Sequence, residues 1–207
     1  MKRFFASIIV LFAIVAMPGK ADAQFRYGAI AGVNISDLSF SQDLISVSPT
    51  VGYTAGVQAE MIFPGIGFGI DMGLLYNQLG ADVNLGEKEI WASEGYGSER
   101  QYLHYVQVPF HFRFKWTRMG GLEEKIAPFA YAGPDLTLLV GHGKCDAMEY
   151  AGGDVGLTVG LGFELFERWQ LSGSYTWGMT YSLKTVLLDD FSARNRHWSV
   201  RLTYFFE

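Results

Sequence analysis

Cysteine is almost absent: the 207 residues contain one, Cys145. An internal disulfide is excluded, so an exported chain of this kind must be held by its own hydrogen bonds and its surroundings. Proline is scarce at six residues, and charged residues make up only 18% of the chain. The net charge of −5 is scattered rather than clustered, which argues against nucleic acid as a partner. Beyond Met17 there is no long apolar run, so no membrane-spanning helix is expected. Glycine, in contrast, is abundant: 25 residues, well above the usual level of about 7%. Aromatics reach 15%, too many for a disordered chain. Many rings and glycines with few prolines suit tightly paired strands. A chain with positive mean hydropathy and no apolar helix crosses a membrane, if at all, as a closed barrel.

The first residues read as a targeting signal. Lys2 and Arg3 form a basic start, Phe4 to Met17 is an apolar run, and Ala21-Asp22-Ala23 is a small-x-small cleavage site. The run is short for a membrane anchor, which needs roughly 20 apolar residues, and no cysteine stands at the cleavage site to carry lipid. Residues 1–23 are therefore expected to be a cleaved secretory signal peptide and 24–207 a single domain.

After Gln24 the dominant period is two. Trp198, Val200, Leu202, Tyr204 and Phe206 alternate with Ser199, Arg201 and Thr203. The same alternation runs through 168–181, 154–165, 102–116, 66–76, 53–63 and 25–34. Only 126–139 has an unclear phase, because Pro128, Gly133 and Pro134 interrupt it. That makes eight strands. Short connections fall at Pro64-Gly65, at Gly120-Gly121 and near Glu167. Longer ones cover about 34–50, 78–99, 140–152 and 183–195. Short turns at one end and long loops at the other are the outer-membrane pattern, with the long loops outside the cell. The expected fold is all-β: an eight-stranded antiparallel up-and-down transmembrane β-barrel of the bacterial outer membrane.

A soluble lipocalin-like barrel has the same period with the faces exchanged. Three features favour lipid outside. Tyr53, Tyr76, Tyr102, Trp116, Trp169, Tyr181, Trp198 and Tyr204 sit near strand ends on the apolar face, as interfacial girdles do. The other face carries Arg26, Arg113, Lys115, Arg168 and Arg201 against Glu60, Asp71, Asp154 and Glu164, which can pair inside a barrel just wide enough to be filled by side chains. Finally, the chain ends on an aromatic strand, Tyr204-Phe205-Phe206-Glu207, similar to the terminal signal read by barrel-assembly machinery.

Three segments carry a family resemblance. The run from Tyr102 to Lys115, YLHYVQVPFHFRFK, resembles the YL…P…(K/R) strand of PorT-like outer-membrane β-barrel proteins of Bacteroidetes-type bacteria. Gly28 to Asn34 is similar to their first strand, G-x-x-x-G-x-N, and Ala127 to Pro134 to their P-(Y/F)-x-x-x-G-P strand. The resemblance implies a barrel fold and an outer-membrane location. One founding member of that family takes part in a secretion pathway, but a shared fold transfers no mechanism.

Candidate chemistry is sparse. His197 and Ser199 share one strand face, the best nucleophile–base pair for a lipid-modifying enzyme of the outer leaflet. Such an enzyme needs the pair aimed at lipid with a carboxylate behind the imidazole, whereas the phase turns both residues inward. His111 beside Arg113, in reach of Asp71, reads as an interior hydrogen-bonded group. His142, Cys145 and Asp146 lack the second ligand pair of a structural zinc site. Gly65, Gly67, Gly69 and Gly73 are followed by no helix and form no phosphate loop. The 78–99 connection carries Trp91 and Tyr96, which a surface ligand could meet. No catalytic residue, metal or cofactor is assigned. The expected function is a non-enzymatic structural or accessory barrel, with outer-membrane lipid and other envelope or secretion proteins as partners. The alternatives are a lipid-modifying enzyme or a surface ligand-binding or adhesion barrel.

Overall fold

Successive side chains of a strand point to opposite sides. A strand that is apolar on one face and polar on the other is therefore satisfied only at a boundary between two media. The computed structural model describes residues 24–40, 46–63, 67–84, 86, 92–93, 97–117, 120–143, 148–185 and 192–206. Eight long strands are found there: β1 (Gln24–Phe40), β2 (Val47–Ile62), β3 (Phe68–Asn84), β4 (Ser98–Lys115), β5 (Ile126–His142), β7 (Gly153–Leu165), β8 (Trp169–Gly178) and β10 (Ser192–Phe206). Two short ones, β6 (Met148–Tyr150) and β9 (Leu183–Thr185), lie in the last two long connections. Neighbouring long strands pair antiparallel, and β10 returns onto β1 from Tyr27↔Phe206 to Phe40↔Ala193. The closure leaves the long strands without a free edge. The short strands extend the sheet locally, β9 on the far end of β10 and β6 on β9.

The outward face is apolar around the circumference. Leu161 is 67% exposed, and Phe112 and Trp198 are each 62% exposed. Apolar area on this scale is far beyond what a soluble surface carries, so the faces are those of a membrane barrel and not of a lipocalin-like one. Ring pairs mark the short-turn end: Tyr27–Phe206, Phe68–Phe114, Phe114–Trp116 and Trp169–Tyr204. Tyr53–Tyr76 and Tyr175–Trp198 lie toward the other end.

The segment with unclear phase forms one continuous strand, β5. Its large rings, Phe129 and Tyr131, point inward and are buried, the reverse of the mainly aromatic-outward pattern of the other strands. They fit because their cross-strand neighbours on β7 are Gly162 and Gly160, where a Cβ would collide with those rings. Pro128 and Pro134 fall on outward positions. The β4–β5 pairing skips from Pro109↔Asp135 to Phe112↔Ala132, as expected where prolines remove ladder donors.

The expected long loops were drawn too long. β1 continues to Phe40, β2 starts at Val47, β3 runs to Asn84, β4 starts at Ser98, β5 runs to His142 and β10 starts at Ser192. In the extensions of β1, β3, β4 and β10 the alternation persists but its polarity inverts, whereas on β5 Leu138 and Val140 still face outward. Leu38, Leu79, Ala81, Val83, Leu103, Met148 and Leu183 now face inward as one buried apolar cluster, while Asp82, Arg100, Arg194 and Arg196 face out. Polar groups face out because the surrounding medium here is water rather than lipid.

The Gly120-Gly121 and Glu167 turns are found where expected. Phe166 and Glu167 both adopt positive φ, 52° and 58°, and the Arg168 N–H donates to the Leu165 carbonyl at 3.2 Å, the twist-matched two-residue turn of a hairpin. Arg168 therefore sits exposed in that turn, not in the interior as its alternation implied. The expected signal peptide 1–23, the Pro64-Gly65 turn, Trp91, Tyr96, Cys145, Asp146 and Glu207 lie outside the described residues.

Candidate functional site

The membrane-level interior is a charge and hydrogen-bond network built on inward positions of six long strands. Arg26 on β1 donates to Glu60 on β2 at 3.0 Å and to Glu164 on β7 at 2.6 Å. Lys115 on β4 pairs with the same Glu164. Arg113 holds Asp71 on β3 at 2.6 Å and lies 3.5 Å from Glu60. Gln170 on β8 donates to both Glu60 and Glu164, at 2.9 and 2.8 Å. The two arginines also lie over inward rings: Arg113 is 4.0 Å from the Phe129 centroid and Arg26 is 4.7 Å from that of Phe205. A buried carboxylate is tolerated when paired and hydrogen-bonded, and Glu60 and Glu164 meet that condition.

Above this layer lies a second polar group. His111 and Asp71 are directly opposite in register, yet the His111 Nε2 meets Asp135 on β5 at 2.9 Å, while Arg113 donates to Asp71. The expected His111–Asp71 proximity is real, but the hydrogen bond goes elsewhere. Thr158 donates to Asp135 and lies 2.6 Å from Thr176. Asp154, expected to balance a cation, instead accepts from Thr180 at 2.6 Å and Ser182 at 2.8 Å. Asp135 escaped sequence reading because it lies in the segment whose phase the prolines obscured. Inward Asp135 in register with Pro109 was the signal available.

His197 and Ser199 are both buried, at 5% and 2% exposure. The Ser199 hydroxyl donates to Asn34 Oδ1 at 2.8 Å, and neither ring nitrogen of His197 has a hydrogen-bond partner among the described residues. The two are thus neither bonded to each other nor turned toward lipid, and no carboxylate among the described residues hydrogen-bonds the imidazole. His142 stacks on Tyr150 with centroids 4.0 Å apart, and its Nδ1 is 2.8 Å from the Gly143 carbonyl oxygen. Among the described residues no three His, Cys, Asp or Glu side chains are grouped to hold a metal.

Among the described residues are two interior cavities of about 20 Å³ each, each roughly the room of one water molecule. One lies beside Asp71, Arg113 and Arg201. The other lies beside Gln107, Asp135 and His197. Toward the long-connection end the interior is filled by the apolar cluster around Leu103 and Leu183. Each of these two cavities has room for a water molecule and for no larger solute.

At the same end the outer surface is charged. Arg100 donates to Asp82 at 2.7 and 2.9 Å, and this hydrogen-bonded cation holds the Asp82 carboxyl below the usual range. Arg194 lies 4.9 Å over the Tyr181 ring.

This architecture defines a class: a filled, closed, eight-stranded barrel whose exposed belt is made for lipid. Comparison with known proteins assigns the family. A family model for the outer membrane protein beta-barrel domain matches residues 19–184, and the chain belongs to that family. Its fold is similar to that of OprG from Pseudomonas aeruginosa, with a TM-score of 0.52 and 14% identity over 88% of this chain and 94% of that one. It is also similar to Neisserial surface protein A, with TM-score 0.48 and 13% identity over 87% and 97%. A major outer membrane protein from Thermus thermophilus gives 0.46 and 14% over 86% and 99%. At such identities the likeness concerns the fold alone. No curated protein matches the chain. Family and fold place the protein in the bacterial outer membrane.

Proposed function

We propose that the protein is a non-enzymatic accessory barrel of an envelope assembly, exported by the signal peptide read at 1–23 and related to the PorT-like group. The observation that carries this reading is the filled interior. Salt bridges among Arg26, Glu60, Arg113, Lys115 and Glu164 occupy the membrane level, and an apolar cluster occupies the far end. A barrel filled in this way acts through its surfaces: the lipid belt and the extended strand ends. The motifs at Tyr102–Lys115, Gly28–Asn34 and Ala127–Pro134 favour secretion proteins among the envelope partners. The test is mild-detergent extraction of the tagged protein from native outer membranes, with mass spectrometry of what co-purifies. Stoichiometric envelope or secretion proteins are expected; a lone barrel would overturn the reading. The enzymatic alternative is tested by His197→Ala. Because His197 is buried away from lipid, the lipid A mass spectrum is expected to be unchanged.

A further inference from the structure

The polarity inversion described above marks where lipid ends on β1, β3, β4 and β10, and on β10 the transition is abrupt. Trp198, Val200 and Leu202 face outward as part of the apolar belt, at 62%, 53% and 45% exposure. The next two outward positions are Arg196 and Arg194, both exposed. A strand rises about 3.3 Å per residue and barrel strands tilt by roughly 40°. Arg196, ten residues from Phe206, then stands about 25 Å from the aromatic ring at the short-turn end, the height of the apolar band of such barrels. The two guanidiniums thus begin where the hydrocarbon stops.

Their neighbours are rings and few carboxylates. Arg196 is directly opposite Trp177 on β8 and Asp37 on β1. The Asp37 Oδ1 accepts from the Leu38 N–H at 2.8 Å. Arg194 lies over Tyr181, whose hydroxyl it reaches at 3.5 Å. Lys184 is opposite Glu149 across the β6–β9 pair. No carboxylate of the described residues lies within ion-pair distance of either arginine, whereas Arg100 on the far side of the barrel is paired with Asp82.

We infer that Arg194 and Arg196 form a binding site for a phosphate group on the sugar headgroup of outer-leaflet glycolipid, with Trp177 and Tyr181 flanking the headgroup. Two outward residues at i and i+2 are about 6.6 Å apart along the strand, so both guanidiniums reach one phosphate, the anion that their planar forks fit. A membrane surface adds attraction for any basic group held at its plane. The lipid is a glycolipid rather than a phospholipid because the long-connection end faces the outer leaflet.

The test is native mass spectrometry of the full chain in detergent, titrated with bisphosphorylated lipid A, dephosphorylated lipid A and phosphatidylglycerol. The wild type is expected to bind bisphosphorylated lipid A at least tenfold more tightly than either of the others. R194A/R196A is expected to lose that preference, and R194K/R196K to retain most of it. Equal wild-type affinity for the two lipid A forms overturns the proposal without any variant having to fold. Equal affinity for phosphatidylglycerol overturns the assignment to glycolipid, and an undiminished preference in R194A/R196A overturns the assignment to these residues.

Discussion

At the scale of the residue, Glu164 and Gly162 show how much of the interior depends on single positions. Glu164 accepts from Arg26, Lys115 and Gln170 at once. Glu164→Ala leaves the buried Lys115 without its carboxylate and Arg26 with Glu60 alone. Breaking a buried pair from one side costs about 3–5 kcal/mol, and that loss is expected in urea unfolding of the barrel refolded into lipid vesicles. A change below 1 kcal/mol would mean that water reaches Arg26 and Lys115 and solvates them. Gly162 works by absence: its missing side chain is the space that Phe129 occupies. Gly162→Val is expected to destabilise by about 1–3 kcal/mol through overpacking. Phe129→Ala added to it should recover part of that loss, the signature of two residues in contact. Neither effect was open to single-position reading. Gly162 is one of several glycines on the polar face of its strand, and Phe129 lies in the segment whose phase the sequence leaves unclear.

At the scale of the element, the extensions of β3 and β4 form a hairpin that stands in water. Its outward pair is Asp82 and Arg100, and its inward side is Leu79, Val83 and Leu103. The folded Asp82 has a lowered pKa, so the pair contributes above the unfolded value near 3.9 and is lost as pH falls through the lower folded value. Amide exchange at the outer ends of β3 and β4 is therefore expected to accelerate below about pH 4 while the membrane-level strands stay protected. High salt should produce the same local effect at neutral pH by screening the exposed pair. Equal acceleration throughout the barrel would show that the hairpin has no independent stability. Strand existence was legible for all eight long elements, because an interior of this width requires strict alternation. Strand ends were not. Leu79, Val83 and Leu103 are apolar on the face that is polar lower down, so a reader following one face sees the pattern fail and places a loop there.

At the scale of the whole molecule, the charged layer and the apolar cluster lie in series along one axis. Solutes meet a filled section at either level, so reconstitution into planar bilayers is expected to give no stepwise ion conductance. Regular conductance steps would require the salt-bridge layer to open and would contradict a rigid, filled barrel. The closure from β1 to β10 also explains how the first and last strands can lie side by side: Tyr27 pairs with Phe206, and their rings lie tilted with centroids 5.8 Å apart within the girdle.

The amino-acid sequence alone determined the all-β class, the number of long strands and the face that meets lipid, because period-two alternation is a local property that each strand displays by itself. It also assigned most interior charges, Arg26, Glu60, Asp71, Arg113, Lys115 and Glu164 among them. Only the tertiary structure decided which of them pair. Arg113 rather than His111 takes Asp71, His111 turns to Asp135, and Asp154 bonds hydroxyls. Those choices depend on which of several inward groups across the barrel reaches first. Only the tertiary structure, likewise, showed the polarity of the strands inverting at the membrane boundary, since the same alternation has opposite meaning in lipid and in water.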